Sequence, residues 1–283
     1  FDGLFTQGMV CHETYKDQKN NWLSPDEIFS DDNKKFYIKK NPKESVIVGP
    51  TESMSKSKKN TIDPQSIIEN FGADSVRLFI LSDSPPEKDV QWSEQGMAAS
   101  FKFIQKLWNL NSRILDKIEM NESGTEKENL TKFTNQLVHK ITKNLENFQY
   151  NVIVANFHEM YNFLSKEIEK PINKDILITN YSKILSIMIP FIPHLAHECL
   201  EKITGKTKIE WPKVDEKNIL DDNINFVVQI NGKKRGVFNT KKDTSEKEVL
   251  EKINNDIELQ KYINNQSIKK TIFVPNRLIN MIV

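Results

Sequence analysis

The chain has 283 residues, 37% of them hydrophobic, and a formal net charge of +1. This length suffices for two or three domains, and the balanced charge neither requires nor excludes a polyanionic partner, so nucleic-acid contacts need local basic patches. No apolar run approaches the roughly 20 residues of a membrane span, and Cys11 and Cys199 lack metal-ligand spacing. We therefore expect a cytoplasmic protein without a disulfide, a bound metal or a membrane partner.

Residues 1–92 have the pattern of a mixed α/β unit. Short apolar runs such as "SVIVGP" alternate with loops rich in Asn, Asp, Lys and Pro, as strands and their connections do. Asp63 and Pro64 then supply an N-cap and a first helical residue. Gly72 should end that helix, and Asp74 is predicted to cap the next one.

Residues 93–220 change to a helical period, which predicts the buried faces of a helix bundle. We expect aromatic residues at this spacing to be core rather than base-stacking platforms. Pro190 and Pro193 near the start of the last helix, and Gly205 after its end, predict a late-starting or kinked helix. One predicted stripe comprises Phe101, Ile104, Trp108, Leu115 and Ile118, and the other Phe157, Tyr161, Leu164 and Ile168.

Residues 221–283 are predicted to form a small separate α+β domain. Apolar residues from Ile224 to Ile230 alternate with polar ones, and Asn231-Gly232 is a favoured hairpin turn. Ser245 and Glu248 form a capping box before a helix. Two further strand-like runs surround a turn at Pro275-Asn276.

The segment "TESMSKSKKN" is the strongest candidate for chemistry. Lys56, Lys58 and Lys59 lie among three serines, so cations and hydroxyls are offered together, as a polyphosphate requires. Composition alone favours a solvated surface loop, because short lysine clusters are common.

The order of the residues adds a resemblance. "SMSKS" at residues 53–57, followed by "KKNTIDP" and "FGADSVRLFIL", resembles the "KMSKS" loop of class I aminoacyl-tRNA synthetases. With "FTQGMV", "SDSPPEKDVQWS", "PFIPHLAHE", "VVQINGKKRG" and "IFVPNRLINMIV", the chain from end to end resembles the C-terminal portion of the bacterial-type leucyl-tRNA synthetase family.

The resemblance implies a multidomain protein. Residues 1–92 would be the C-terminal part of a Rossmann-type catalytic domain with its connector helices, residues 93–220 an α-helical anticodon-binding bundle, and residues 221–283 an α+β tRNA-binding domain. The implied reaction joins leucine to ATP, taken as its Mg²⁺ complex, and then transfers the leucyl group to tRNA(Leu).

The resemblance also implies roles for individual residues. The ATP-binding loop would be Ser53, Met54, Ser55, Lys56 and Ser57, with Lys56 as the catalytic lysine. Ser53 departs from the family pattern, because the leading lysine of the motif is absent. The implied tRNA-binding residues are Lys233, Lys234, Arg235, Lys269 and Lys270, with Lys241, Lys242 and Arg277 nearby, although composition leaves solubilising lysines equally open.

Two expectations concern what the sequence lacks. It contains no His-x-Gly-His string, and neither the ribose-binding segment nor the editing domain of the family. We therefore expect a C-terminal third, either an excised fragment or one subunit of a split synthetase, that is inactive without its N-terminal part. His194 and His197 share a helix without a third ligand, so we expect structural or solvent-facing roles.

Two alternatives remain open. Valyl, isoleucyl and methionyl enzymes carry the same loop and a helical bundle. A noncatalytic tRNA-binding module, made of the bundle and the end domain, is the alternative from another class of function.

Overall fold

The computed structural model describes residues 3–32, 35–120, 128–206, 210–219, 223–263 and 268–283. They divide into two compact units, residues 1–215 and residues 216–283. The predicted boundary between residues 220 and 221 lies outside the described residues. The first unit contains predicted domain 1–92 and residues 93–215 of predicted domain 93–220, and the division into three domains stays a prediction.

The strands of the first unit form two sheets. In the larger sheet the order is β2-β1-β6, all antiparallel, and β7 pairs with β1 in parallel; in the smaller one β3, β4 and β5 are antiparallel. The strands are β1 (Val10–Lys16), β2 (Trp22–Leu23), β3 (Ile28–Ser30), β4 (Phe36–Ile38), β5 (Asn41–Ser45), β6 (Ile47–Ser53) and β7 (Val90–Gln91). Because Ser53 pairs with Cys11, the segment that follows β6 begins beside β1.

Six helices of the first unit, from residue 73 onwards, contribute side chains to one hydrophobic core, as predicted for a bundle, whereas the helix before them packs against a smaller cluster of Phe79, Val90 and Met97. They are α1 (Pro64–Phe71), α2 (Ala73–Ser82), α3 (Glu94–Met120), α4 (Glu128–Glu146), α5 (Tyr150–Glu167), α6 (Lys174–Met188) and α7 (Pro193–Thr204). Fully buried side chains such as Ile114, Ile153 and Phe157 contribute about 1.5–3 kcal/mol each through loss of apolar surface.

The predicted stripe on α3 is wrong at Trp108. The buried face of α3 runs through Phe103, Leu107, Leu110, Ile114 and Ile118, whereas Trp108 is 39% exposed. The Lys202 ammonium lies 4.7 Å from the centre of the Trp108 ring, so the indole is a cation–π partner on the bundle surface. The α5 stripe is confirmed, since Phe157, Leu164 and Ile168 are buried and Tyr161 is half-buried.

Helix ends near α1 and α7 follow local sequence signals. Asp63 accepts hydrogen bonds from the N–H groups of Gln65 and Ser66, with Pro64 as the first helical residue of α1. The last bundle helix starts late, at Pro193, and ends at Thr204; Gly205 follows as its C-terminal cap, with a left-handed φ of 66°. Both predictions are confirmed.

Asp74 does not cap α2 as predicted. It lies in the first turn of α2, and its buried carboxylate accepts hydrogen bonds from the N–H groups of His194 (3.2 Å) and Leu195 (2.7 Å) at the start of α7. Pro193 has no N–H, so these are the first donors that α7 offers. The cap therefore belongs to a helix far away in sequence.

Arg77, one turn further along α2, forms hydrogen bonds with the connection between α6 and α7. Its guanidinium donates to the carbonyl oxygens of Pro190 (2.6 Å) and Phe191 (3.2 Å) between α6 and α7. The N-terminus of α7 thus receives a carboxylate, and the carbonyls after α6 receive a cation, as helix dipoles favour.

The second unit is a four-stranded sheet with two helices. Its elements are β8 (Asn223–Ile230), β9 (Lys233–Lys241), α8 (Glu246–Asn254), α9 (Ile257–Ile263), β10 (Lys270–Val274) and β11 (Leu278–Ile282), and the strand order is β10-β11-β8-β9. The predicted hairpin is confirmed by positive φ at Asn231 (50°) and Gly232 (75°). The capping box of Ser245 and Glu248 is also present.

Candidate functional site

The segment from Ser53 to Asn60, called the 53–60 loop below, leaves the end of β6 and leads to α1. The Met54 N–H donates to the Val10 carbonyl of β1 at 3.0 Å. The Met54 side chain lines an apolar cavity of about 180 Å³ together with Ile67 and Trp92. The first end of the loop is therefore attached to the sheet and rests on apolar surface.

Asn60 holds the other end of the loop, and sequence reasoning missed it. Its side chain is fully buried, and its Oδ1 accepts a hydrogen bond from the Ser55 N–H at 2.8 Å. Its Nδ2 approaches the carbonyl oxygens of His12 (3.3 Å), Glu52 (3.2 Å) and Ser53 (3.5 Å). An asparagine in a polar run carries no sequence signal for burial. Asn60 is included in the sequence analysis only as the last residue of "KKN", in the stretch that resembles the synthetase family.

The three predicted cations of the loop have different surroundings. Lys58 forms an ion pair with Glu52 of β6, and the Lys59 ammonium lies 3.8 Å from the Glu27 carboxylate. The hydrogen bond from the Ser24 backbone N–H is the main cause that lowers the pKa of Glu27, and the positive charge of Lys59 lowers this pKa further. Lys56 is exposed, and within the described part of the chain its ammonium has no ion-pair partner.

The hydroxyls of the loop lie around the same tip. The Ser55 Oγ accepts from the Lys58 N–H at 3.3 Å and lies 3.2 Å from the Ser57 Oγ. The Lys59 N–H donates to the Lys56 carbonyl at 3.3 Å and closes a turn. Ser53, where the family motif has lysine, is exposed at the end of β6. The tip thus offers one unpaired ammonium and an exposed Ser57 hydroxyl, groups that suit phosphate oxygens.

The predicted basic residues of the second unit gather at one end of its sheet. Lys233 pairs with Ile230, Ile230 pairs with Met281, and Lys270 pairs with Ile282, so all four strands bring these positions to the same end. The Lys269 N–H bonds the Ile282 carbonyl at 2.8 Å. We call this surface the basic end; it comprises the exposed residues Lys233, Lys234, Lys269 and Lys270.

Of the other predicted cations of this unit, Arg235 adjoins the basic end and three lie apart from it. Arg235 follows Lys234 on β9, and its guanidinium lies 4.4 Å from the Tyr262 ring of α9. Lys241 pairs with Asn223 at the opposite end of the sheet, where Lys242 and Arg277 also lie. Lys241, Lys242 and Arg277 are therefore separated from the basic end by the length of the sheet.

Other candidate groups have structural surroundings. The His194 Nδ1 lies 2.9 Å from the Asp74 carboxylate, and His197 is exposed. Cys11 and Cys199 are buried, and burial raises the pKa of the Cys199 thiol to about 12. In the described ranges, no three His, Cys, Asp or Glu side chains form a group fit to hold a metal. A helix long and apolar enough to cross a membrane is also absent from those ranges.

Comparisons with known proteins agree with this geometry. Residues 44–93, which include the 53–60 loop, match the family "tRNA synthetases class I (I, L, M and V)". Residues 127–251 match the family "Anticodon-binding domain of tRNA ligase". The two matched regions are thus similar to part of the catalytic domain of class I tRNA synthetases and to the anticodon-binding domain of tRNA ligases.

Two relatives that match the full length of this chain are both leucine–tRNA ligases. The chain is 38% identical over 290 residues to the leucine–tRNA ligase of Orientia tsutsugamushi and 39% identical over 290 residues to that of Wolbachia pipientis wMel. All of the chain is covered, but only 34% and 32% of these relatives. The chain is a homologue of the leucine–tRNA ligases and matches their C-terminal part.

A solved structure shares the fold. The LeuRS of Agrobacterium radiobacter K84 (agnB2), crystallised as a ternary complex with tRNA and LeuAMS, matches with a TM-score of 0.66 and 24% identity. The match covers 82% of this chain and 31% of that one. The chain thus spans about a third of the length of the proteins that it resembles.

Proposed function

We propose that this chain is the C-terminal part of a leucine–tRNA ligase and that its 53–60 loop binds ATP, taken as the Mg²⁺ complex. The leucine carboxylate would attack the α-phosphorus, forming leucyl-adenylate and releasing pyrophosphate. A hydroxyl of the terminal adenosine of tRNA(Leu) would then attack the carbonyl carbon of leucyl-adenylate, forming the ester and releasing AMP. The expected cytoplasmic location stays a prediction.

Lys56 is proposed as the residue that acts on the reacting phosphates. As the bond to the leaving pyrophosphate breaks, negative charge grows on that group, so an ammonium that meets it stabilises the transition state more than the ground state. The observation that carries this proposal is the selective pairing of the loop lysines. Lys58 and Lys59 face carboxylates, whereas no carboxylate within the described residues pairs with Lys56.

The basic end is proposed to contact tRNA phosphates. Its lysines lie on β9 and at the start of β10, the two outer strands of the four-stranded sheet, which are about 15 Å apart at the usual strand spacing. That width is enough for more than one phosphate of a duplex. Such contacts would recognise the shape of the RNA rather than its bases. The helical bundle would bind the anticodon side of the same tRNA, which the match to an anticodon-binding family supports.

The test is reconstitution with the missing N-terminal part of the enzyme. We expect neither the chain nor that part alone to catalyse leucine-dependent ATP–pyrophosphate exchange, and we expect the two together to do so. Leucyl-adenylate formation by the chain alone would contradict the expected inactivity. A mixture without activity that still binds tRNA would favour the noncatalytic module instead.

Deletion of residues 221–283 separates the two proposed steps. The reconstituted enzyme should keep pyrophosphate exchange and lose much of its tRNA charging, because this proposal assigns adenylate formation to the 53–60 loop and tRNA contacts to the basic end. Loss of exchange to the same degree would contradict that division of labour.

A further inference from the structure

Asn60 is the buried polar centre of the 53–60 loop. Its side chain is 0% exposed, and its contacts reach three segments: His12 on β1, the carbonyls at the end of β6, and the Ser55 N–H in the loop. One carboxamide offers two donor hydrogens and an acceptor oxygen, and all of them have partners. The loop is thereby bonded to both strands at a single point.

The contact to Ser55 lies directly beside Lys56. The Asn60 Oδ1 fixes the N–H of the residue before Lys56, and the Lys59 N–H fixes the Lys56 carbonyl. The backbone on both sides of Lys56 is therefore set by hydrogen bonds, while its ammonium stays exposed. We propose that Asn60 is a positioning residue that sets where Lys56 can meet a polyphosphate.

This inference depends on the proposed function of Lys56, and it competes with a simpler role. Asn60 could do no more than satisfy the carbonyl groups at the end of the sheet. A purely structural role predicts a lower melting temperature with normal ATP kinetics in the folded molecules. A positioning role predicts altered ATP kinetics that vanish when Lys56 is absent.

The experiment uses the enzyme reconstituted with its N-terminal part and measures ATP–pyrophosphate exchange per folded molecule. For Asn60→Ala we expect kcat/KM for ATP to fall about 30-fold, because misplacing a catalytic group by about 1 Å costs up to about 100-fold. The KM for leucine should change by less than about twofold. Asn60→Asp, which keeps the size and the acceptor but loses the donors, should show the same pattern.

A double-mutant cycle supplies the decisive readout. In a Lys56→Ala background, Asn60→Ala should cost less than about threefold more, since residues that act through each other are not additive. The matched control is Asn70→Ala, because the Asn70 amide is exposed and, among the described residues, donates to the Ser66 carbonyl alone. It should leave exchange unchanged.

Two kinds of result would overturn the inference about Asn60, and only one of them would also contradict the proposed function of Lys56. Wild-type ATP kinetics in both Asn60 variants, or additive losses in the cycle, would overturn it alone. Wild-type exchange by Lys56→Ala would overturn the proposed function as well.

Discussion

The 53–60 loop and the basic end both carry clustered lysines, yet the structure treats them differently. In the loop, Lys58 and Lys59 face carboxylates and a buried Asn60 fixes the backbone, so one ammonium remains unpaired in a set position. At the basic end, Lys233, Lys234, Lys269 and Lys270 are exposed, and no ion pair involves them within the described residues.

This difference indicates which function each lysine cluster suits. A single cation on a hydrogen-bonded backbone can act on charge that appears only in a transition state. Several exposed cations at one end of a sheet attract a polyanion in proportion to their number and are weakened by salt. Three changes should separate the two regions, and a fourth tests the buried support of the first unit; they are given from the largest effect to the smallest.

The largest effect should come from Lys56→Ala. We expect leucine-dependent pyrophosphate exchange by the reconstituted enzyme to fall at least about 100-fold, since losing one positioned donor costs about 3 kcal/mol. The control is Lys58→Met, which removes a lysine already paired with Glu52 and should change exchange by less than about threefold. Equal losses of exchange in the two variants would contradict the proposal that Lys56, and not Lys58, acts on the phosphates.

The second effect tests the buried support of the first unit. Asp74→Ala should lower the free energy of unfolding of that unit by about 2 kcal/mol, because the first N–H groups of α7 lose a buried cap. The exposed cap Asp63 is the matched control, and Asp63→Ala should cost about 1 kcal/mol. Denaturant titration would measure both, and a larger loss for Asp63 would contradict the long-range cap.

The third effect tests the basic end. Changing Lys233, Lys234, Lys269 and Lys270 to Gln should weaken tRNA binding at least about tenfold at low salt and reduce the salt slope by about one for each lost phosphate contact. Stability should change by less than about 0.5 kcal/mol. The control changes Lys241, Lys242 and Arg277 at the opposite end. An equal loss there would show that net charge, not the basic end, binds tRNA.

The smallest effect should come from adding a second unpaired cation to the 53–60 loop, which would make it more like the basic end. Glu52→Gln releases Lys58 from its ion pair and adds an unpaired cation near Lys56. We expect the KM for ATP to fall by no more than about threefold, because exposed ion pairs contribute less than about 1 kcal/mol. Glu44→Gln, on the exposed strand β5, is the control. A rise in KM would mean that the ion pair itself holds the loop.

Local features of the fold could be predicted because their causes lie within a few residues. The Asp63-Pro64 start of α1, the Asn231-Gly232 hairpin and the alternation along β8 each depend on neighbouring side chains. The family of the loop was also readable, from the order of its residues. These signals do not depend on how the chain closes on itself.

Long-range features could not be predicted in the same way. The carboxylate of Asp74 bonds a helix 120 residues away, and nothing near Asp74 distinguishes that use from a local cap. Trp108 has the spacing of a core residue, yet the buried face of α3 lies one position aside. The pairing of Lys58 and Lys59, which singles out Lys56, depends on strands that bring Glu52 and Glu27 to the loop.

The bonds from α2 to the corner between α6 and α7 also shape how the molecule opens. Asp74 holds the start of α7, and Arg77 holds the carbonyls just before it. Amide protons at that corner should therefore exchange with solvent only when α2 opens too. Two segments some 120 residues apart in sequence would then protect each other as one cooperative unit of unfolding.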